Sequence, residues 1–403
     1  MLTETIVLEG HIINSLALTR VLDTIIELGG NFAIDEIRIG KKSTDPSFAQ
    51  ITISAIDESV LENILGNIQK LGAVVKEKVE VQYLPADIDG SFPENFYSTT
   101  NLDTSIFYKS KWIPVENIEM DCGIILDTKK KTARCIAINE VKSGDNIVVG
   151  HQGIKVIPLP REREKEIFSF MTSSVSSEKP KKLLISEIAN RMKLLHKKNG
   201  KILLVGGPAI VHTGAGKHLS ALIRAGYINV LFAGNALAVH DIESALYGTS
   251  LGISLQDGQV TTGGHRNHLR AINTIRRCGS AKSAVDQNIL RQGIIYECIK
   301  NNVPFVLAGS IRDDGPLPEV ITDSMQAQKL MRDYAQQVDM AIMLSTTLHS
   351  IATGNVLPAK VFTVCVDINH AVVTKLIDRG SAQTLGIVTD VESFLRELVQ
   401  EII

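Results

Sequence analysis

The sequence predicts a multidomain protein, α+β in its first part and α/β in its last. Three observations carry this. The chain has 403 residues, too many for one ordinary core. Residues 4–83 alternate strand-like and helix-like periodicities in the order β-α-β-β-α-β. From Ile185 onward, short apolar runs alternate with amphipathic helices, the rhythm of a parallel sheet covered on both faces.

Composition narrows the functional classes. Apolar residues make up 44% and charged residues 21%, which excludes global disorder. A net charge of −2 with no basic block argues against nucleic acid as a partner. No apolar run is long enough to span a bilayer, so no membrane partner is expected. The start, Met1-Leu2-Thr3-Glu4-Thr5, lacks the pattern of a signal peptide. Five cysteines, odd in number and without a Cys-x-x-Cys pair, point to neither a metal site nor a disulfide framework. A cytoplasmic protein is expected.

Taken in order, Glu4–Leu8 reads as a strand. Ser15–Leu28 reads as a helix, with Leu18, Leu22, Ile25 and Ile26 on one face and Gly29-Gly30 as its stop. Phe32–Ile39 alternates with one slip in phase, and Gln50–Ile56 alternates cleanly. Glu58–Leu71 is a second helix and Ala73–Val81 a last strand. This is a ferredoxin-like βαββαβ domain, placed at 1–89. Residues 90–160 hold short β runs punctuated by proline and by the turn-like Lys129-Lys130-Lys131 and Lys142-Ser143-Gly144-Asp145, a small β-rich unit. Residues 161–182, charged and then serine-rich, read as a linker. The remainder, 183–403, is a doubly wound parallel sheet.

That last domain opens on Ile202–Gly226. A run buried on both faces, Ile202–Val205, breaks at Gly206-Gly207, and helical spacing follows at Leu219, Leu222 and Ile223 before Gly226. Strand, glycine loop and helix open a nucleotide-binding unit. Gly214-Ala215-Gly216 starts like a dinucleotide fingerprint, but Leu219 occupies the third glycine's place. A tight strand-to-helix turn in any doubly wound domain would look similar. Further on, His268–Cys278 and Ala284–Asn301 read as two more helices.

Ligands of an open parallel sheet lie beyond the carboxyl ends of its strands. Those ends are Gly206-Gly207, Gly234-Asn235-Ala236, Ser310–Asp314, Ser345–His349, Asp367-Ile368-Asn369 and Asp390-Val391. Ser345-Thr346-Thr347 offers hydroxyls and N–H groups to a phosphate, or a helix cap. Asp367 or Asn369 suits ribose hydroxyls, or an Asx turn into a helix at His370. Arg312-Asp313-Asp314 puts two carboxylates beside a cation, a setting for acid–base work or a plain Asp-Gly turn. Gly263–His268 reads as a lid-like loop. His265 and His268 lack an acidic or cysteine partner at helical spacing, which favours hydrogen-bonding roles over a metal. His240-Asp241 reads as dipole-favoured charge within a helix.

The runs Gly309–Pro318, Leu344–Asn355 and Ile387–Val391 resemble the lysine-oxoglutarate reductase/saccharopine dehydrogenase-like family, whose characterised branch is the archaeal-type, NAD-dependent ornithine cyclodeaminases. The resemblance covers essentially the whole chain. It implies a C-terminal sheet of deoxyhypusine-synthase-like, NAD-binding type. It also implies conversion of L-ornithine to L-proline and ammonia with recycled NAD, in a homo-oligomer. On that implication Asn235, Ala236, Asp313, Ser345, Thr346, Thr347, Leu348, His349, Asp367, Asp390 and Val391 surround the cofactor. Asp314 is the candidate base, Arg266 or Arg312 the carboxylate clamp, and no metal is expected. The competing readings are a net amino-acid oxidoreductase of the saccharopine type and a non-enzymatic amino-acid- or nucleotide-binding protein.

Overall fold

The computed structural model describes residues 2–10, 12–13, 16–41, 45–76, 79–157, 181–251, 253–254, 266–313, 315–379 and 384–403. The linker expected at 161–182 therefore lies outside the described residues but for its last two. Asp314 and the loop with His265 lie outside them altogether. The chain forms two compact units, Met1–Phe170 and Met171–Ile403.

The first unit begins with β1 (Leu2–Gly10), α1 (Ala17–Glu27), β2 (Asn31–Arg38), β3 (Ser47–Ala55), α2 (Glu58–Gln69) and β4 (Val74–Val75). Their sheet has the order β2-β3-β1-β4 and antiparallel pairing, the ferredoxin-like arrangement. Alternation along β3 buries Ser47, Ala49, Ile51, Ile53 and Ala55, which face the helices. The slip in phase expected in β2 is a bulge between Ile34 and Glu36. The strand expected over Ala73–Val81 is shorter: among the described residues Val74–Val75 pairs with β1, and Lys76 N donates to Thr5 O at 2.8 Å.

The chain then enters a second sheet with β5 (Gln82–Pro85), β6 (Thr104–Tyr108), β7 (Lys111–Glu116), β8 (Gly123–Asp127), β9 (Thr132–Ile136), β10 (Asn146–Val149) and β11 (Ile154–Val156). The order is β11-β6-β7-β9-β8-β10-β5, antiparallel except for β7 beside β9. Its core is Ile106, Ile124, Leu126, Val148 and Ile154, all buried.

The second unit runs α3 (Lys181–Lys197), β12 (Ile202–Gly206), α4 (Ala209–His212), α5 (Gly216–Arg224), β13 (Val230–Gly234), α6 (Asn235–Tyr247), β14 (Thr249–Ser250), β15 (Ile253–Ser254), α7 (Asn267–Cys278), α8 (Ala281–Asp286), α9 (Ile294–Lys300), β16 (Phe305–Ala308), β17 (Val320–Ile321), α10 (Ser324–Ala335), β18 (Met340–Leu344), α11 (Leu348–Val356), β19 (Phe362–Asp367), α12 (His370–Arg379), β20 (Thr384–Val388) and α13 (Val391–Ile402). The sheet order is β17-β16-β13-β12-β18-β19-β20, with every pairing parallel. Without the edge strand β17 this is the doubly wound order 3-2-1-4-5-6. Alternate residues of β12 feed two cores. Ile202 and Leu204 join one, with residues of α3, α5, α6 and α13; Leu203 and Val205 join the other, with residues of α10, α11 and α12.

Two expected elements differ. The single helix over Ala284–Asn301 is two, α8 and α9, parted by left-handed Asn288 and by Gly293 at φ 107°. The buried Asp241 carboxylate accepts from Ile294 N and Ile295 N at 2.8 and 2.9 Å and so starts α9 afresh. The glycine fingerprint also sits elsewhere than expected. A one-turn α4 follows β12, so Gly214-Ala215-Gly216 lies between α4 and α5, away from the strand end.

Among the described residues no helix is long and apolar enough to cross a membrane. Asp323 starts α10, accepting from Met325 N and Gln326 N at 2.8 and 3.1 Å. Asp323→Ala should cost about 1 kcal/mol of stability, read as a small fall in the urea midpoint with an unchanged slope.

Candidate functional site

Because every strand of the second sheet is parallel, all its carboxyl ends share one edge. The chain leaves β12 toward one side of the sheet and β18 toward the other, so a crevice opens between them. Its floor is Gly207, whose N–H donates to Leu344 O at 2.9 Å. A Cβ on Gly207 would overlap the Ser345 carbonyl oxygen and press on Thr346 Cβ. Ser345 itself holds a left-handed φ of 52° and donates its N–H to Val366 O at 3.0 Å. Its hydroxyl is buried and, among the described residues, has no partner.

Next to that floor, His349 packs its ring against Gly234 at the end of β13. Thr346 Oγ1 and His349 Nδ1 stand 3.4 Å apart. Burial pushes the His349 imidazole below its ordinary value, and the Asp313 carboxylate partly opposes this. Asp313 accepts from Ser310 N at 2.8 Å and folds the loop after β16. Asn235, buried at the start of α6, holds the far end of that loop by accepting from Leu317 N at 3.1 Å. Neither α6 nor α11 has a side-chain cap at its N-terminus, which leaves N–H groups for another acceptor.

The sequence-derived candidates thus fall into groups. Gly207, Ser345 and Thr346 meet at the floor; Asp313, His349 and Gly234 meet beside it. Ala236 is half-buried, and Thr347 and Leu348 are exposed at the head of α11. Asp367 accepts from Asn369 N at 2.8 Å, and Asn369 accepts from Ala371 N at 3.0 Å, so the Asx turn into α12 is formed. Asp390 caps α13 through Glu392 N and Ser393 N, and Val391 is buried behind it. Arg312 is exposed on the loop after β16, and Arg266 is exposed just before α7.

A second cluster was not legible in the sequence. His240 and Glu243, one turn apart on α6, meet His212 from the end of α4 and His268 from α7. The His212 and His240 rings are 4.7 Å apart, and those of His240 and His268 are 4.9 Å apart. Glu243 is fully buried and accepts from Thr249 Oγ1 at 2.8 Å, Leu251 N at 3.1 Å and His240 Nδ1 at 3.3 Å. Asn267 Nδ2 supports Thr249 at 3.0 Å. The acidic partner expected to be missing for His268 is present, supplied by α6 rather than by its own helix: Glu243 Oε2 lies 4.0 Å from His268 Nδ1. The neighbouring Asp241, expected to answer its own helix dipole, instead caps α9.

Ligand atoms of His240, Glu243 and His268 lie within 4.8 Å of one another. Three donors already occupy the Glu243 carboxylate. An ionised carboxylate only accepts, so beside one His240 donates through Nδ1. Because α4 is a single turn, His212 stays close to the sheet edge where the crevice opens.

Comparison with known proteins places the whole chain. Residues 186–398 match the family described as arginine dihydrolase ArgZ-like, C-terminal, Rossmann fold. Residues 103–185 match the first region of the same C-terminal part, and residues 3–102 match the LOR/SDH bifunctional enzyme conserved region. The chain is 55% identical to an ornithine cyclodeaminase of Methanothermobacter thermautotrophicus over 403 residues, covering 98% of that protein. Cyanobacterial ArgZ, an arginine dihydrolase solved in its apo form, superposes with a TM-score of 0.87 at 37% identity over the whole chain, which spans 58% of ArgZ. AgrE, a bifunctional arginine dihydrolase/ornithine cyclodeaminase of Nostoc solved with ornithine and NAD+, gives 0.55 at 40% identity, with 57% of its length covered.

The floor is testable by itself. Gly207→Ala should lose roughly 1–3 kcal/mol, because the Ser345 backbone must retreat, read as a lower urea midpoint. The buried histidine gives a pH signature. A folded-state value held below 6.5 means its contribution is intact above pH 6.5 and is lost as pH falls through the folded value. His349→Gln should therefore narrow the gap in stability between pH 8 and pH 5.5.

Proposed function

The chain belongs to the family of ornithine cyclodeaminases that carry the LOR/SDH conserved region, and on that premise we propose that it converts L-ornithine to L-proline and ammonia with NAD as a recycled cofactor. The observation that carries the reading is the crevice between β12 and β18, set within a chain alike over its full length to such enzymes.

The residues present fit a dinucleotide. Gly207 removes the side chain that would block backbone approach, and Ser345 offers a buried hydroxyl without a partner among the described residues. The open N-termini of α6 and α11 suit phosphate charge. Asp367 and Asn369, at and just beyond the end of β19, are the candidates for the ribose hydroxyls. When bound, NAD supplies the hydride acceptor and donor of a reaction that is redox-neutral overall.

This chain's own residues must then manage protons. Ornithine carries two ammonium groups, and each must lose a proton: the α-nitrogen to release hydride, the side-chain nitrogen to attack the imine. Two protons return, one on the departing ammonia and one on proline's ring nitrogen, so the count closes. We assign this exchange to His240 Nε2, with Glu243 holding the ring's orientation and offsetting its charge when it is protonated. Arg266, one residue before Asn267 of the cluster, is the candidate clamp for the substrate carboxylate, with Arg312 as the other.

Proline and ammonia should form in equal amounts from ornithine with only catalytic NAD. Turnover that needs stoichiometric NAD+ or 2-oxoglutarate would sink the cyclodeaminase reading in favour of net oxidoreduction. Binding of ornithine without product would favour the non-enzymatic one. Glu243→Gln should lower kcat roughly 100- to 10,000-fold and leave NAD affinity in place. Asp314→Asn is the companion test: the larger loss of kcat identifies the base.

A further inference from the structure

The exchange assigned to His240 involves two protons. When the ring C–N bond of proline forms, the α-nitrogen and the side-chain nitrogen of ornithine have each given one up, and neither has come back. With one on His240, a second site must take the other. Both nitrogens are bonded to a single carbon at that moment, so the two sites must stand side by side.

His212 meets that condition. Its ring centre lies 4.7 Å from that of His240, and its helix, α4, starts two residues past Gly207 of the crevice floor. His212 is exposed where His240 is buried. Each ring is held through Nδ1 by a partner of its own. His240 Nδ1 is 3.3 Å from Glu243 Oε2, and His212 Nδ1 is 2.7 Å from Ser250 Oγ. The two anchors share one strand, because Thr249, which donates to Glu243 Oε1 at 2.8 Å, and Ser250 are the consecutive, buried residues of β14. A hydroxyl donates as well as accepts, so Ser250 keeps its bond whether or not His212 carries a second proton, and the change falls on Nε2. Burial pushes the His212 imidazole below its ordinary value, the His240 ring acts in the same direction, and Glu243 opposes both. A lowered value favours the neutral ring, which is the form that accepts a proton.

The order of groups in the cluster also matches the substrate. Arg266, the candidate clamp for the α-carboxylate, stands two residues before His268, whose ring is 4.9 Å from that of His240; His240 in turn neighbours His212. With Arg266 as the clamp, the α-nitrogen falls to His240 and the side-chain nitrogen to His212. We propose that His212 is a second catalytic base, whose Nε2 takes the proton of ornithine's side-chain ammonium while His240 Nε2 serves the α-nitrogen. The freed side-chain amine forms the ring C–N bond. One proton shifts from the ring nitrogen to the α-nitrogen, and the bond from the α-carbon to that nitrogen breaks. The protons on the two histidines end on the departing ammonia and on the ring nitrogen. One hydride leaves the α-carbon and one returns to it, so no further oxidant or reductant is needed. The assignment rests on the cyclodeaminase reading above.

The test separates the two nitrogens. The full chain with NAD is mixed with ornithine, and the first turnover is followed by the absorbance of reduced nicotinamide beside the formation of proline. His212→Gln should lower proline formation roughly 100-fold or more, yet still show reduced nicotinamide in the first turnover, because the α-nitrogen is served and the ring cannot close. His240→Gln should suppress both signals. His212→Ala, at an exposed position, should regain proline formation when imidazole is added, and its urea midpoint should match that of the wild type. Wild-type proline formation by His212→Gln overturns the proposal. So does equal loss of both signals in that variant, or a folded His212→Ala that imidazole does not restore. A wild-type protein that forms no proline overturns the cyclodeaminase reading itself, so the wild type tells the two failures apart.

Discussion

The second unit depends on one close approach, that of the backbone after β12 to the backbone after β18. Gly207 donates to Leu344, and its missing side chain leaves room for the Ser345 carbonyl. Parallel strands that diverge to opposite sides must leave a gap at their ends, and most such gaps would be filled by side chains. Here the fill is main chain, with Ser345 in a left-handed conformation that non-glycine residues adopt at a cost of order 1–3 kcal/mol. That strain is offset by its own ladder bond to Val366 and by the core strands on either side, all buried. Backbone N–H groups and a hydroxyl are thereby brought to a place where charge can be met without a lysine or arginine.

The His240–Glu243 cluster answers a different constraint. A carboxylate removed from water is expensive unless its oxygens are satisfied and a cation is near. Glu243 meets the first condition through Thr249, Leu251 and His240. Among the described residues, the imidazoles of His240 and His268 stand nearest to meet the second. Beside them, burial pushes the His212 imidazole below its ordinary value, and the neighbouring His240 ring acts in the same direction.

Much of this architecture was readable from residue pattern. The βαββαβ order, the bulge in β2, the apolar β12 and the row of small and polar strand ends all follow from periodicities that local physics imposes. The chain's sense along each strand then put those ends on one edge. What escaped was set by groups distant in sequence. The break between α8 and α9 needs Asp241 of α6, which no window around Gly293 contains. Gly206-Gly207 was read at the strand end, but the one-turn α4 that displaces Gly214-Ala215-Gly216 from it was not. His268 looked unsupported because its acidic neighbour was sought at helical spacing on α7, and it stands on α6.

Helix α6 joins these separate parts. Its first residue, Asn235, holds the loop that carries Arg312 and Asp313; its second and third turns carry His240 and Glu243; and Asp241 between them starts α9. Residues 237–243 are all buried, so the helix has no solvent-facing side on which to rotate. Any shift of the Asp313 loop toward a ligand must therefore be borne by the loop, with the proton-handling pair held still. The proposed proton exchange calls for such a fixed pair, because the same nitrogen must first lose a proton and later, as ammonia, regain one. The order in which these residues occur along a single helix makes that division a property of the fold rather than of any one loop.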